Sequence, residues 1–240
     1  MLALAFDTST PVSSIGWTEL DTRGPRPEAT RFASFIAPAE PGHAETLLDR
    51  TRAALATGGH ELKDVELLVF GRGPGTFTGL RIGLGTAKGL SLAFGTKLVG
   101  ISSLEALALS AGTAGLVAPI IDARRGELYA ALYDVRAEGG WTRAALVIAE
   151  QVVRPEGLAA LFSGHAPAGA IRFSGNGAAR YAEAIRPLGE LLPTERSAAD
   201  PVRMALAGAA RFLEAGADDP VALEPTYLRE PDAKLPKPAF

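Results

Sequence analysis

Residues 71–90 read GRGPGTFTGLRIGLGTAKGL, and this stretch limits the possible folds more than any other part of the chain. An apolar run, Val65 to Phe70, feeds a Gly/Pro turn, Gly71-Arg72-Gly73-Pro74-Gly75. A helical pattern follows from Phe77 to Phe94, and Gly79, Gly83, Gly85 and Gly89 lie inside it. Each glycine in a helix costs about 1 kcal/mol relative to alanine, so four cost about 3–4 kcal/mol. Something must offset that: a backbone that approaches a ligand closely, or a helix that approaches a neighbour closely. Gly79 and Gly83 are four apart, as are Gly85 and Gly89, and that spacing puts each pair on one face. Most of the remaining positions are apolar: Leu80, Ile82, Leu84, Ala87, Leu90, Leu92, Ala93 and Phe94. Such a helix is buried all round in its own domain or shared with another chain, and the second reading is favoured.

Composition narrows the function classes. A length of 240 residues suits one large or two small domains, and 47% hydrophobic residues supply a core. The net charge is −3 and no Lys/Arg stripe forms, which argues against strong autonomous nucleic-acid binding. The absence of cysteine excludes disulfides, thiolate nucleophiles and Cys-ligated metals, and suits a reducing compartment. The opening Met1 to Phe6 carries no basic leader, and the long apolar helix carries Arg81 and Lys88; the expectation is a cytoplasmic chain with no membrane span.

The order of patterns occurs twice. Leu2 to Phe6, Val12 to Glu19 and Arg31 to Ala37 read as strands, His43 to Ala56 as a helix, Val65 to Phe70 as a strand and Phe77 to Phe94 as a helix. Leu116 to Ile121, Glu127 to Val135 and Trp141 to Ala149 then read as strands, Pro155 to Phe162 as a helix, Ala170 to Ser174 as a strand and Gly177 to Arg186 as a helix. Each copy opens with a strand that ends in aspartate, Asp7 and Asp122. This is a weak duplication of a mixed α/β unit. Residues 1–103 and 104–230 are the expected halves, with a late helix from Pro201 to Ala215 and a flexible tail at 231–240. The segment Asp21 to Thr30 reads as a loop rich in Pro, Gly and charge.

Asp7-Thr8-Ser9 and Asp122 fall at the carboxyl ends of strands, where open α/β sheets bind ligands. Two aspartates across a cleft could orient a magnesium-bound triphosphate, or each could cap its own turn. Gly175, Asn176 and Gly177 follow a strand and open a helix, a geometry that suits anions or nucleotide edges and equally an ordinary strand-to-helix turn. The turn at 71–75 is neither a Walker loop nor a dinucleotide fingerprint. His43, His60 and His165 lie far apart without metal-ligand spacing, and no serine has an evident partner base. The residues alone therefore supply no nucleophile, base or metal.

Several segments together resemble one family. Leu4-Ala5-Phe6-Asp7-Thr8-Ser9, the block from Gly73 to Gly83, Ala87-Lys88-Gly89-Leu90 and Gly100 to Leu107 are similar to the bacterial TsaB (YeaZ) family, tRNA threonylcarbamoyladenosine biosynthesis proteins. Pro119 to Tyr129, Phe173 to Gly177 and Glu224 to Arg229 also match its pattern. The resemblance implies an actin-like ATPase fold (the sugar kinase/actin type) made of two RNase H-like mixed-sheet halves. It implies a non-catalytic partner of the paralogue TsaD, in a complex that TsaE also joins. That complex transfers a threonylcarbamoyl group from threonylcarbamoyl-adenylate to the adenosine next to the anticodon of tRNAs reading ANN codons. TsaD carries a His-x-x-x-His metal pair, and the aligned positions here are Ser103 and Leu107, which cannot ligate iron or zinc as imidazoles do. No catalytic residue, metal or cofactor is therefore expected of this chain, and tRNA is met through the complex. The resemblance places the surface for TsaD, or for a homodimer, on the helices at 43–56 and 77–94. The candidate contacts are Leu47, Leu48, Thr51, Leu55, Phe77, Leu80, Gly83, Leu84, Ala87 and Lys88. Two other classes remain open: a metal-dependent glycoprotease-like peptidase and a sugar-kinase-like phosphotransferase.

Overall fold

A computed structural model describes residues 1–38, 43–138, 141–167, 169–193 and 197–229. The first sheet is built from β1 (Leu2–Asp7), β2 (Val12–Asp21), β3 (Glu28–Pro38), β4 (Leu67–Gly71) and β5 (Lys97–Ile101), in the order β3-β2-β1-β4-β5. The second is built from β6 (Gly115–Arg124), β7 (Glu127–Glu138), β8 (Trp141–Val153), β9 (Ile171–Ser174) and β10 (Gly189–Leu191), in the order β10-β9-β6-β7-β8. Read from the antiparallel edge, the two orders are the same. β1 pairs antiparallel with β2 and parallel with β4, and β6 pairs antiparallel with β7 and parallel with β9. The duplicated pattern is thus two mixed-sheet halves of RNase H-like topology, the actin-like ATPase architecture.

Helices cover the sheets. α1 (His43–Ala56) and α2 (Phe77–Phe94) lie on one face of the first sheet; α7 (Pro201–Ala215) lies on the other. β1 shows why. Leu2, Leu4 and Phe6 point to the α1/α2 side, while Ala3 and Ala5 point to α7. Alternation along a strand sends the two sets to opposite faces, and the small set lets α7 come close, with Gly208 against the Val69 side chain. α7 comes after the second sheet in sequence yet packs on the first, so the chain folds back across the division expected at 103/104. α3 (Ser103–Ser110) shares a core with β6 and β7 on one side of the second sheet; α4 (Leu158–Phe162), α5 (Asn176–Arg180) and α6 (Ala182–Ile185) fill the other.

Local signals fix the helix ends. Thr76 accepts the Gly79 N–H at the start of α2, and Gly95 closes its end in the left-handed region at φ 73°. Asp200 accepts the Val202 N–H at 2.9 Å, and Pro201 occupies the first turn of α7. Several strands run further than the sequence patterns indicate. The expected loop at 21–30 is a loop over residues 22–27, narrowed because β2 extends to Asp21 and β3 starts at Glu28. The expected flexible tail at 231–240 lies outside the described residues.

Candidate functional site

The Gly-rich segment wraps around the end of β1. The Thr76 N–H donates to the Ser9 carbonyl at 2.7 Å, and the Thr8 hydroxyl donates to the Gly79 carbonyl at 2.8 Å. A Cβ on Gly79 would overlap the Thr8 carbonyl oxygen, and one on Gly83 would stand 2.6 Å from the Thr8 Oγ. This glycine pair is therefore an internal seat: it lets α2 rest on the backbone of the strand that carries Asp7. The second pair behaves differently. A Cβ on Gly85 or Gly89 would meet nothing within 4 Å among the described residues.

That division corrects the expected contact surface. Leu80, Gly83, Leu84 and Ala87 on α2, with Leu47, Thr51 and Leu55 on α1, are buried in the chain's own core. The sequence shows that α2 is apolar on many sides, but not which side its own sheet fills. Of the expected contacts, Phe77 is exposed and Leu48 and Lys88 are half-buried. The outward face of the α1/α2 layer is made instead by Ala53, Ala56, Gly85, Gly89, Ala93 and Leu92, the last 91% exposed.

Asp7, Thr8 and Ser9 are gathered beneath α2. The Ser9 N–H donates to Asp7 Oδ1 at 2.6 Å, while Asp7 Oδ2 and the Ser9 hydroxyl are shut off from solvent without a partner. Burial pushes the Asp7 carboxyl above the ordinary carboxylate range. The nearby Ser9 and Ser103 hydroxyls pull the other way, but neither reaches Oδ2 in good geometry. A side chain on Gly71 would overlap that oxygen, so the turn closes directly over the acid.

Asp122 holds the equivalent place on β6 and is built differently. Its Oδ1 accepts the Arg124 N–H at 2.9 Å, and its Oδ2 accepts from the Arg180 guanidinium at 2.9 Å. Asn176 Oδ1 accepts the Asp122 N–H at 3.3 Å. Gly175, at φ 95°, and Gly177 bring α5 onto the backbone of Ile120 and Asp122, where a Cβ would collide. The structure thus joins Asp122, Gly175, Asn176 and Gly177 in one cluster and Asp7, Thr8 and Ser9 in another. Neither fits the magnesium-triphosphate reading as built. Asp7 is sealed, Asp122 is committed to an arginine, and among the described residues no three His, Cys, Asp or Glu side chains converge on a possible metal position.

Two arrangements escaped the sequence. Ser102 caps α3 and also donates to Glu150 on β8, and the Tyr133 hydroxyl donates to the same Glu150 oxygen at 2.7 Å. Burial and the Glu150 carboxylate push the Tyr133 phenol up. Arg124 and Arg180 are the other omission. Arg124 stands two residues after Asp122 and could have been read as its turn partner; Arg180 is brought there only by the fold.

A family model described as TsaD, tRNA N6-adenosine threonylcarbamoyltransferase, matches residues 37–235. The chain is 38% identical over 146 residues to the Escherichia coli tRNA threonylcarbamoyladenosine biosynthesis protein TsaB, a match covering 59% of this chain and 58% of that protein. It is 32% identical over 231 residues to the uncharacterized protein Rv3421c of Mycobacterium tuberculosis, covering 96% and 93%. The solved structure of YeaZ from Pseudomonas aeruginosa superposes with a TM-score of 0.76 at 28% identity, covering 95% of this chain and 100% of that one. The chain belongs to the TsaB/YeaZ family. The match to the TsaB protein of E. coli thus spans less than two thirds of that protein's length.

In this chain Ser103 and Leu107, where the resemblance leads one to look for the paralogue's histidine pair, serve the fold. The Gly73 N–H donates to Ser103 Oγ at 3.2 Å, and the Ser103 N–H donates to the Gly73 carbonyl at 2.8 Å. Leu107 lies in the core shared by α3, β6 and β7. Ser103 therefore clamps the Gly-Pro-Gly turn onto the N-terminus of α3, and Leu107 fills apolar space.

Proposed function

We propose that this chain is a non-catalytic scaffold or activator subunit in the formation of threonylcarbamoyladenosine in tRNA. It docks on TsaD, which transfers the threonylcarbamoyl group from threonylcarbamoyl-adenylate to the adenosine next to the anticodon of ANN-reading tRNAs, and TsaE joins the complex. The observation that carries this reading is the outward face of α2. Gly85 and Gly89 each cost about 1 kcal/mol in a helix and meet nothing within 4 Å among the described residues, while Leu92 beside them is 91% exposed. A close-packed helix from another chain accounts for both. A cavity of about 390 Å³ continues this face, lined by Arg52, Ala56, His60, Leu62 and Phe94 among others. Ser103 and Leu107 support the division of labour, since neither is a metal ligand and both serve the fold.

The peptidase reading lacks a metal-ligand cluster among the described residues. No described helix is long and apolar enough to cross a membrane. The expected site of action is the cytoplasm, alongside TsaD.

The test is co-elution with TsaD, followed by tRNA modification assays with TsaE and ATP. The parent chain should form a heterodimer and raise modification, while alone it should modify nothing. Leu92→Arg should abolish co-elution with an unchanged melting profile, because a charge is forced into an apolar contact. If Leu92→Arg still forms the heterodimer, this face is not the one that docks. A second copy of the chain can occupy the same face, so the variant should also remain monomeric at concentrations where the parent self-associates.

A further inference from the structure

Residues 223–229 run as a strap over both halves. Leu223 enters the core beneath α1 and α2, and the Thr226 N–H donates to the Arg72 carbonyl at 2.7 Å. Leu228 packs against the core of the second half, and Arg229 donates to the Ala123 carbonyl at 3.0 Å. Between these anchors Tyr227 is laid against the first turn of α2. Its ring centroid lies 5.6 Å from that of Phe77 with 31° between the planes. The Arg81 guanidinium sits 3.8 Å from the Phe77 centroid, and Arg81 Nε lies 3.4 Å from the Tyr227 hydroxyl. Phe77 remains 48% exposed and Tyr227 41%. The fold thus fixes two aromatic rings and a guanidinium in one surface stack, with much of both rings facing water.

We propose that Phe77, Arg81 and Tyr227 form a stacking platform for an unpaired base of RNA, an inference that rests on the tRNA-modification role proposed above. Fixed rings and a guanidinium plane suit base stacking, which needs a π-face rather than a particular base. The local charge favours RNA over a protein partner. Although the whole chain carries −3, the strap, the turn it crosses, the β6–β7 turn and the end of α5 carry Arg72, Arg124, Arg125, Arg180 and Arg229 besides Arg81, against Asp122, Glu127 and exposed Glu224. The chemistry also differs from that of the docking face. The far end of α2 exposes Leu92 beside the open glycines, whereas the platform exposes aromatic rings framed by arginine.

The experiment is a binding titration of a labelled RNA stem-loop with a single-stranded loop, using the complex of this chain with TsaD at one fixed salt concentration. Tyr227→Ala and Arg81→Ala should each weaken RNA binding about tenfold while the complex still co-elutes. Tyr227→Phe keeps the ring and should bind as the parent does. Unchanged RNA affinity in both weakened variants overturns the platform. Loss of co-elution in them also overturns it and makes the cluster a protein contact. A parent chain that neither co-elutes with TsaD nor raises modification sinks the proposed function instead. RNA binding by the chain alone, compared with Tyr227→Ala, then still decides the platform.

Discussion

The two halves share one topology and treat the same aspartate in opposite ways. In each, a glycine pair lets a helix rest on the end of the central strand: Gly79 and Gly83 over Thr8, Gly175 and Gly177 over Ile120 and Asp122. The helices differ in length, 18 residues for α2 and 5 for α5. The long helix and its Gly-Pro-Gly turn seal Asp7 from solvent and leave one of its oxygens unpartnered. The short one leaves room for Arg180 to reach Asp122 from the surface. Topology alone therefore does not determine how a strand-end acid is housed: one is sealed beneath a long helix, and the other is paired with an arginine that reaches it from the surface.

The largest effect expected from this comparison is at the seat of α2. Gly79→Ala sets a Cβ against the backbone of Thr8, which cannot move aside as a flexible side chain can. A loss of about 3 kcal/mol or more follows, enough to threaten folding. Leu84→Arg belongs to the same class, because Leu84 lies in the core between α2 and the sheet. Gly83 and Leu84 are thus probes of folding rather than of association. Urea melts read both, and a Gly79→Ala protein as stable as the parent would mean that α2 is not seated as described.

What the sequence could and could not disclose follows from how each element is bounded. α1, α2 and α7 coincide with the helical patterns at both ends, and α2 and α7 carry a side-chain cap with a flanking Gly or Pro. β5 and α3 did not stand out. Both are short and buried at nearly every position, so neither period 2 nor period 3.6 is visible in them. The duplication was legible because the strand-ending aspartates mark it. The outward face of α2 was not, because an all-round apolar helix hides which side its own sheet takes. The second-half cluster was legible as Asp122 and Gly175 to Gly177, but its arginine partner comes from a helix 58 residues away in sequence.

A second, smaller effect separates the aspartates. Asp122→Ala removes the acceptor for the Arg124 N–H and the Arg180 guanidinium, with an expected loss of about 1–2 kcal/mol. Arg180→Ala alone should cost less, about 0.5 kcal/mol, since its side chain is largely exposed and screened by water. Equal losses from the two variants would show that the guanidinium, not the turn N–H, is the main use of Asp122. Within α2 itself, Gly85→Ala should stabilise the isolated chain by about 0.5–1 kcal/mol, because that site is open and helical. A destabilised Gly85→Ala chain would mean that this face is not free.

The finest contrast is in pH. Asp7 has its pKa raised above 3.8 by burial, so the folded chain holds a proton that the unfolded chain has already released. Between the ordinary carboxylate pKa and the raised one, the native state binds more protons, and stability falls as pH rises through that window. Asp7→Asn keeps an oxygen for the Ser9 N–H and removes the charge, so its stability should fall less over the same range. The stability of the variant relative to the parent should therefore rise as the pH is raised above the ordinary carboxylate range. Urea melts at a series of pH values measure the difference in slope. Parallel profiles would show that Asp7 ionises in the folded chain as readily as in the unfolded one, and that water or an unseen donor reaches Oδ2. The two halves would then differ only in how their acids are paired, not in whether water reaches them.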